Sequence, residues 1–368
     1  MRSLPSYVSI ARRASPTSCE RWRSSWAKDL SLQSDRISTW TSRVSSKRFG
    51  TGPTDLKGVA AMAEQVMDDA VFKYGQGRLF HADCMAWLAE RKRTSVHAVV
   101  TDPPYGLVEY SPEQQRKLTE GKGGVWRVPP AFDGHQRSPL PRFTVLTARE
   151  IEQLAAFFQL WASALLPVLV PGANVVVASN PLLSHIIAVS IAKAGFERRG
   201  EIARLVMTMR GGDRPKNAHE EFDGVSVMPR SMWEPWLVFR KPLEGRVQDN
   251  LRRWKTGGFR RISPTQPFGD VIRSHPTRAA ERKLAKHPSL KPQAFLRQLI
   301  RAVLPLGEGV VLDPFAGSGA HLAAAEAVGY ASVGVEVDER YFALARTAIP
   351  ALAQVGLTDR EIPNLPLV

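Results

Sequence analysis

The sequence has few cysteines and no long apolar run. Its two cysteines, Cys19 and Cys84, lie far apart, which argues against a disulfide framework and against a cysteine-rich zinc site. We therefore expect a cytoplasmic protein without a metal ion. The most apolar stretch, residues 160–178, is interrupted by two prolines and a glycine. Because a transmembrane helix needs about 20 consecutive apolar residues, we expect no membrane span.

Negative charge is also scarce, and the excess of positive charge is confined to two segments. The 368 residues carry a net charge of +15. Residues 1–57 contain 11 lysines and arginines against 4 aspartates and glutamates, and residues 242–286 have the same 11 against 4. The rest of the chain is almost neutral. Basic segments beside a neutral body are typical of a protein that binds a polyanion.

The first of these segments belongs to an extension, residues 1–70, that is rich in serine and arginine. We expect this extension to be poorly ordered because it lacks sustained apolar periodicity. Three alternatives stay open. The composition is also typical of an organellar transit peptide, translation could start at Met62 or Met67, and the basic side chains could contact nucleic acid rather than water alone.

From Gly77 onward, short β-branched strands alternate with helical patterns. This alternation predicts a doubly wound α/β sheet, with an antiparallel strand near its edge. A glycine- and proline-rich stretch at residues 107–147 interrupts the pattern. Connections of this length are uncommon in compact domains unless they act on a ligand, so we interpret the stretch as a flap, with a disordered insertion as the alternative.

One predicted strand, residues 96–101, ends abruptly at Asp102-Pro103-Pro104-Tyr105. The two prolines cannot donate to a β-ladder, so the strand must stop and leave a rigid loop. The loop offers the Asp102 carboxylate, the Pro103 carbonyl and an aromatic ring. Hydrogen bonds to the first two would orient a conjugated exocyclic amine toward an electrophile, and Tyr105 would stack on the base. The alternative is an ordinary proline-rich strand exit.

A second motif follows another apolar strand near the end of the chain. Two glycines let the backbone approach a ligand closely where a helix begins. The next strand ends in Glu336, an acidic side chain placed to accept ribose hydroxyls, although Leu322 replaces the third glycine of the dinucleotide fingerprint. The motif comprises Asp313, Pro314, Phe315, Ala316, Gly317, Ser318 and Gly319.

Together, the two motifs resemble the catalytic and cofactor motifs of S-adenosylmethionine-dependent DNA amino-methyltransferases. The catalytic motif comes first, the cofactor motif last, and a basic segment lies between them. This order resembles the circularly permuted beta class. The resemblance implies a Rossmann-like methyltransferase sheet with a catalytic half at residues 71–241, a small inserted target-recognition region at 242–286 and a cofactor-binding half at 287–368.

The resemblance also implies further cofactor contacts. Asp83 and Cys84 match a segment near the cofactor adenine, although Asp83 is also a good helix N-cap and Cys84 a good core residue. Lys291 and Pro292 match the cofactor-proximal motif, although they could simply start a helix. The turn is followed by Ala320-His321 where the family usually has two threonines. His321 and His287 lack a convincing set of ligand partners.

The target-recognition region interleaves basic and aromatic side chains, a composition expected of phosphate and base contacts. Ordinary surface arginines are the alternative. The predicted DNA-binding residues are Arg252, Arg253, Trp254, Lys255, Arg260 and Arg261.

These observations predict a site-specific DNA methyltransferase that uses S-adenosyl-L-methionine and acts on double-stranded DNA. The aspartate at position 102 resembles the adenine-N6 branch more than the cytosine-N4 branch, which remains the first alternative. An RNA or protein-glutamine methyltransferase, a nicotinamide-dependent dehydrogenase and a nonenzymatic DNA-binding protein are the others. We expect a monomer or homodimer, with a cognate restriction endonuclease as a candidate partner.

Overall fold

A nine-stranded mixed sheet forms the centre of the computed structural model, in the order β1-β2-β11-β10-β3-β6-β8-β7-β9. Strands β2, β11, β10, β3 and β6 are parallel, whereas β8 is antiparallel to both of its neighbours and β1 to β2. The strands are β1 Val71–Tyr74, β2 Gly77–His81, β3 Val96–Thr101, β6 Leu169–Ala178, β7 Glu197–Leu205, β8 Trp233–Arg240, β9 Val271–Arg273, β10 Val310–Asp313 and β11 Ala331–Glu336, with β4 Ala131–Phe132 and β5 His135–Gln136 forming a separate ladder.

The structure describes residues 70–104, 146–206, 214–215 and 217–357, together with the backbone of β4 and β5. These residues belong to the second of two units into which the chain divides, Gln65–Val368. The predictions for residues 1–69, for Tyr105 and for nearly all of the flap lie outside the described residues. No helix in the described ranges is long and apolar enough to cross a membrane.

Helices cover both faces of the sheet. Alternate residues of β3 enter different clusters: Ala98 and Val100 pack with α6, α7 and α8, whereas Val99 packs with α1, α2 and α3. A strand buried on both faces is a near-continuous apolar run, which is how β3 appeared in the sequence. The helices are α1 Cys84–Ala89, α2 Ala148–Leu165, α3 Ser184–Lys193, α4 Val247–Trp254, α5 Ala279–Leu284, α6 Gln293–Val303, α7 Ala320–Ala327 and α8 Glu339–Ala353.

The predicted doubly wound sheet is therefore confirmed, and both β8 and the edge strand β1 run antiparallel to their neighbours. Two strands begin earlier than their sequence patterns indicate. The β-branched run at residues 174–178 predicts a short strand after a Pro-Gly turn, but β6 begins at Leu169, because Gly172 adopts a φ of +77° and lets the strand continue past Pro171. The pattern at residues 201–209 predicts a further strand, and β7 already begins at Glu197; residues 207–209 lie outside the described residues.

The parallel strands define two edges of the sheet, which we call the carboxyl edge and the amino edge after the strand ends that lie there. Strands β10 and β3 are neighbours, but the helices that follow them pack on opposite faces, α7 on one and α2 on the other. Ligands of open α/β sheets bind at such a switch point, outside the carboxyl ends of the strands.

Candidate active site

The two sequence motifs meet at this switch point through a buried hydrogen bond. Thr101 Oγ1, at the end of β3, donates to Asp313 Oδ1, at the end of β10, over 2.7 Å. The same oxygen accepts the Phe315 backbone N–H at 3.1 Å, and Asp313 Oδ2 lies 2.8 Å from His321 Nδ1. Asp313 thus joins the catalytic strand to the glycine turn.

Asp102 follows Thr101 directly and lies on this edge. Its side chain is 9% exposed and forms an ion pair with Lys291 Nζ. Pro103 is buried and Pro104 half-buried, so the backbone is held firmly just after the carboxylate. Asp102, Pro103 and Pro104 therefore lie at the carboxyl end of β3. The predicted stacking residue, Tyr105, is not among the described residues.

Lys291 lies between two carboxylates, because its Nζ is also 3.5 Å from Glu234 Oε1. Burial acts to lower the pKa of Lys291, but the Asp102 and Glu234 carboxylates outweigh it and raise that pKa above its usual value. Burial acts conversely to raise the pKa of Glu234, and the charges of Lys291 and Arg204 bring it below its usual value. The groups therefore hold each other in their charged forms.

The glycine turn has the geometry that its sequence predicted. Gly317 and Gly319 have φ values of +52° and +76°. A Cβ on Gly319 would lie 2.4 Å from Ile349, and one on Gly317 would lie 2.9 Å from His287 Nε2. Gly319 is the N-cap of α7. Only glycine fits these two positions, because they combine a left-handed backbone with close packing.

The other predicted residues of the turn differ in exposure and contacts. Ala316 and Ser318 are buried, and the Ala316 N–H donates to the Val335 carbonyl at 3.0 Å. The Phe315 ring packs 5.9 Å from the Trp161 ring. These contacts connect the turn to the adjoining strand and to α2.

Glu336, at the end of the neighbouring strand β11, accepts a hydrogen bond from the backbone of the glycine turn. Its Oε2 accepts the Gly317 N–H at 2.7 Å, and its Oε1 accepts the Asp338 N–H at 2.8 Å. Burial raises the pKa of this carboxyl group, although the two backbone hydrogen bonds partly offset the effect. Glu336 is 8% exposed and lies at the carboxyl end of β11, where the sequence predicted a ribose contact.

Asp83 and Cys84 lie beside Glu336, since the Ala82 N–H donates to the Glu336 carbonyl at 3.0 Å. Asp83 is the N-cap of α1, and its Oδ1 accepts the N–H groups of Met85 and Ala86, both at 2.9 Å. Burial raises the pKa of the Cys84 thiol to about 12, so this cysteine is an inert core residue. Both residues therefore have structural contacts at the site.

The segment before α6 contains the predicted residues Lys291 and Pro292. It also contains His287, to which the sequence analysis gave no role. Pro292 is buried and is the N-cap of α6. His287 lies against Gly317, with its ring 4.5 Å from that of Tyr341. Burial lowers the pKa of His287 to about 4, so the ring is neutral near neutral pH. The position of His287 in the same motif as Lys291 is the sequence feature that could have indicated its place beside the glycine turn.

The predicted DNA-binding residues lie at the amino edge, away from Asp102. Arg260 donates to the hydroxyl of Tyr330, which directly precedes β11, at 2.8 Å. Arg253 Nη1 and Trp254 Nε1 both donate to Glu244, over 2.5 Å and 2.7 Å. The remaining contacts are an ion pair of Arg252 with Asp249, a hydrogen bond from Arg261 to the Ser263 carbonyl, and a left-handed C-cap at Lys255.

The second half of the same region lies at the carboxyl edge. Strand β9 runs parallel to β7, so it ends at the carboxyl edge, where the Ser274 N–H donates to the Leu205 carbonyl at 3.0 Å. This part of the chain carries exposed cations that the sequence prediction did not select. They are Arg273, Arg282, Lys283 and Lys286. In the described ranges, no group of three or more His, Cys, Asp or Glu side chains could hold a metal ion.

Comparisons with known proteins agree with this arrangement. A DNA methylase family model, for N6 and N4 methyltransferases, matches residues 96–347. The Type II methyltransferase M.HindIII of Haemophilus influenzae is 23% identical over 291 residues, which cover 73% of this chain and 93% of that protein. The DNA adenine methyltransferase YhdJ of Escherichia coli is 34% identical over 125 residues, 30% of this chain and 42% of that protein.

Solved structures are also similar. One is a DNA modification methylase from Thermus thermophilus, complexed with S-adenosyl-L-methionine. It is 21% identical with a TM-score of 0.46, and the match covers 77% of this chain and 94% of that chain.

Proposed function

Because the chain belongs to the N6/N4 DNA methylase family, we propose that it is a site-specific DNA methyltransferase that modifies the N6 amine of a flipped adenine. Family membership establishes the coarser activity, methylation of DNA with S-adenosyl-L-methionine as the methyl donor. The observation that carries the proposal for this site is the hydrogen bond from Thr101 to Asp313. It brings a carboxylate-Pro-Pro loop next to a glycine turn of the kind that binds nucleosides.

Glu336 and the glycine turn fit the nucleoside part of this cofactor. A carboxylate has about four acceptor positions, and Gly317 and Asp338 use two of those on Glu336. The remaining positions suit a pair of ribose hydroxyls. Gly317 and Gly319 pack closely against His287 and Ile349, which fixes the path of the turn beside Glu336. When bound, the cofactor supplies a methyl group that its positive sulfur has already activated.

Asp102 and Pro103 would orient the amine of the base. The Asp102 carboxylate and the Pro103 carbonyl accept its two N–H groups, which favours a tetrahedral nitrogen with its lone pair aimed away from both acceptors. The chemical requirement is alignment rather than acid catalysis, because the methyl group already has a good leaving group. Pro104 would shape the pocket, and Tyr105 would stack on the base, as proposed from the sequence.

Two observations support adenine over cytosine. The catalytic motif begins with Asp102, which resembles the adenine branch of the family, and YhdJ is named as an adenine methyltransferase. The decisive experiment is to express the chain in a methylation-free host and sequence the DNA for modified bases. We expect N6-methyladenine at one short sequence. N4-methylcytosine would overturn the adenine assignment, and unmodified DNA would overturn the proposed activity.

The Asp102→Ala variant tests the catalytic role. We expect methyl transfer to fall at least about 100-fold, the size of effect that removal of one preorganised hydrogen-bonding group has at other active sites. Binding of S-adenosylmethionine, measured by calorimetry, and binding of DNA should persist. A variant that transfers methyl groups at the original rate would show that Asp102 has no part in orienting the amine.

We propose that the cations of the carboxyl edge, rather than those of the amino edge, contact DNA near the flipped base. A matched pair of variants with four charges neutralised tests this: Arg273, Arg282, Lys283 and Lys286 in one, and Arg252, Arg253, Arg260 and Arg261 in the other. Each phosphate contact contributes about 0.9 to the slope of log K against log salt. We expect the first variant to lose affinity and slope. The opposite result would support the DNA contacts predicted from the sequence.

The assembly around this site is a separate prediction. M.HindIII is a Type II methyltransferase, and we propose by analogy that this chain protects sites that a cognate endonuclease cuts. Cleavage of unmodified host DNA by a co-expressed candidate nuclease, and its protection by this chain, would test that role. A monomer or homodimer remains the expectation for the oligomeric state, which sedimentation would measure.

A further inference from the structure

We propose that Lys291 is a positioning residue, which fixes the orientation of the Asp102 carboxylate toward the amine of the base. This inference rests on the proposed function, because it gives Lys291 a role in the same site. The motif resemblance assigned Lys291 to the cofactor instead. The two roles predict different effects when the lysine is replaced.

The Lys291 side chain contacts Asp102 directly. Its Nζ donates to Asp102 Oδ2 and approaches the Ser289 carbonyl at 3.5 Å. The side chains of Lys291 and Asp102 are only 10% and 9% exposed. Removing one partner of a buried pair leaves an uncompensated charge in a dry place, so such a pair holds its geometry strongly.

Other side chains fix the position of the ammonium group. Glu234, which lies 3.5 Å from Lys291 Nζ, accepts hydrogen bonds from Arg204 at 2.9 Å and from Trp236 at 3.1 Å. Arg204 in turn donates to the Ser274 hydroxyl at 3.0 Å. The result is a row of four alternating charges, from Asp102 through Lys291 and Glu234 to Arg204. It connects the catalytic loop to the ends of β7 and β8.

This row has one consequence for the reaction. Lys291 engages Oδ2 of Asp102, so the amine of the base meets a carboxylate whose rotation is fixed. His287 also lies near Asp102, and it is neutral above about pH 5 because burial lowers its pKa to about 4.

The test compares Lys291→Met with Lys241→Met in the full-length chain, using DNA from a methylation-free host. Lys241 is a suitable control because it also donates a hydrogen bond, to the Leu169 carbonyl at 2.7 Å, but at the amino edge. For Lys291→Met we expect kcat to fall about 100-fold, the effect of a 1 Å misplacement, with an unchanged Kd for S-adenosylmethionine. Lys241→Met should change neither quantity.

Two further variants separate charge from folding. Lys291→Gln retains a donor without the charge, so its kcat should fall like that of Lys291→Met. Lys291→Arg retains both the charge and a donor, so it should recover most of the wild-type kcat. A weaker Kd for S-adenosylmethionine with an unchanged kcat would overturn the inference in favour of a cofactor contact. If Asp102→Ala abolishes transfer but every Lys291 variant matches the wild type, the inference alone fails. If Asp102→Ala is fully active, the proposed catalytic site fails as well.

Discussion

Replacing Thr101 by valine tests the hydrogen bond that joins the two motifs. The substitution keeps the shape of the side chain and removes only the hydroxyl, which donates to Asp313 Oδ1 at 2.7 Å. Both side chains are essentially fully buried, so water cannot replace the lost donor. A hydrogen bond to a charged group contributes about 1.5–3 kcal/mol. The Phe315 N–H still bonds to the same oxygen, so we expect a loss of about 2 kcal/mol.

For a unit of about 300 residues, about 2 kcal/mol corresponds to a fall in Tm of roughly 3 °C, which thermal unfolding followed by circular dichroism would measure. We also expect kcat/KM to fall about tenfold, since the Asp102 loop and the glycine turn would no longer be fixed relative to each other. Thr101→Ser is the control, because it keeps the hydroxyl and loses only a methyl group, worth about 1 kcal/mol. If the valine variant is as stable and as active as the serine variant, the hydrogen bond does not hold the site together.

Three further changes probe the turn and its surroundings. Gly319→Ala should destabilise the protein by more than about 1 kcal/mol and abolish cofactor binding, because the new Cβ would lie 2.4 Å from Ile349 at a φ of +76°. A Kd for S-adenosylmethionine that calorimetry finds unchanged would contradict this. Glu336→Gln should weaken binding of S-adenosylmethionine at least about tenfold, and equal Kd values would exclude the ribose contact. It should also lower Tm, because the amide nitrogen that replaces one carboxylate oxygen leaves the N–H of Gly317 or of Asp338 without its acceptor. Asp338→Ala should cost about 1 kcal/mol through the lost N-cap of α8. The hydrogen bond from the Arg340 side chain lowers the pKa of Asp338 to about 2. The stabilisation that the Asp338 carboxylate provides is therefore present above pH 4 and is lost as the pH falls through 2. Urea unfolding should show Asp338→Ala to be less stable than the wild type at pH 7, and this difference should largely vanish at pH 2.

Local sequence patterns predicted the elements of the site accurately. The β-branched run before Asp102 and the apolar run before Asp313 are strands, the two glycines have left-handed φ values, and Glu336 ends the next strand. These features depend on residues close in sequence, whose steric preferences are strong. The family resemblance drawn from them is confirmed by the match over residues 96–347.

The contacts of Lys291 could not be predicted in the same way. Its partners Asp102 and Glu234 are far from it in the chain, and the motif around it indicated a cofactor role. A lysine that precedes a helix is compatible with many partners. Only the order of the strands, which places β3 and β8 on either side of β6, brings the two carboxylates to one ammonium group.

The position of the basic segment follows instead from the direction of one strand. Strand β8 runs antiparallel to both of its neighbours. An antiparallel strand ends at the amino edge, so the residues that follow Arg240 must begin there, and Arg240 indeed donates to the Gly257 carbonyl at 3.2 Å. The chain has to cross the sheet again before Lys291 can reach Asp102. Residues 242–286 therefore extend from one edge to the other, and their composition of arginine and tryptophan says nothing about which half faces the base. Strand direction places the end of β9 on the carboxyl edge, and the proposed DNA contacts of that half of the segment rest on this placement.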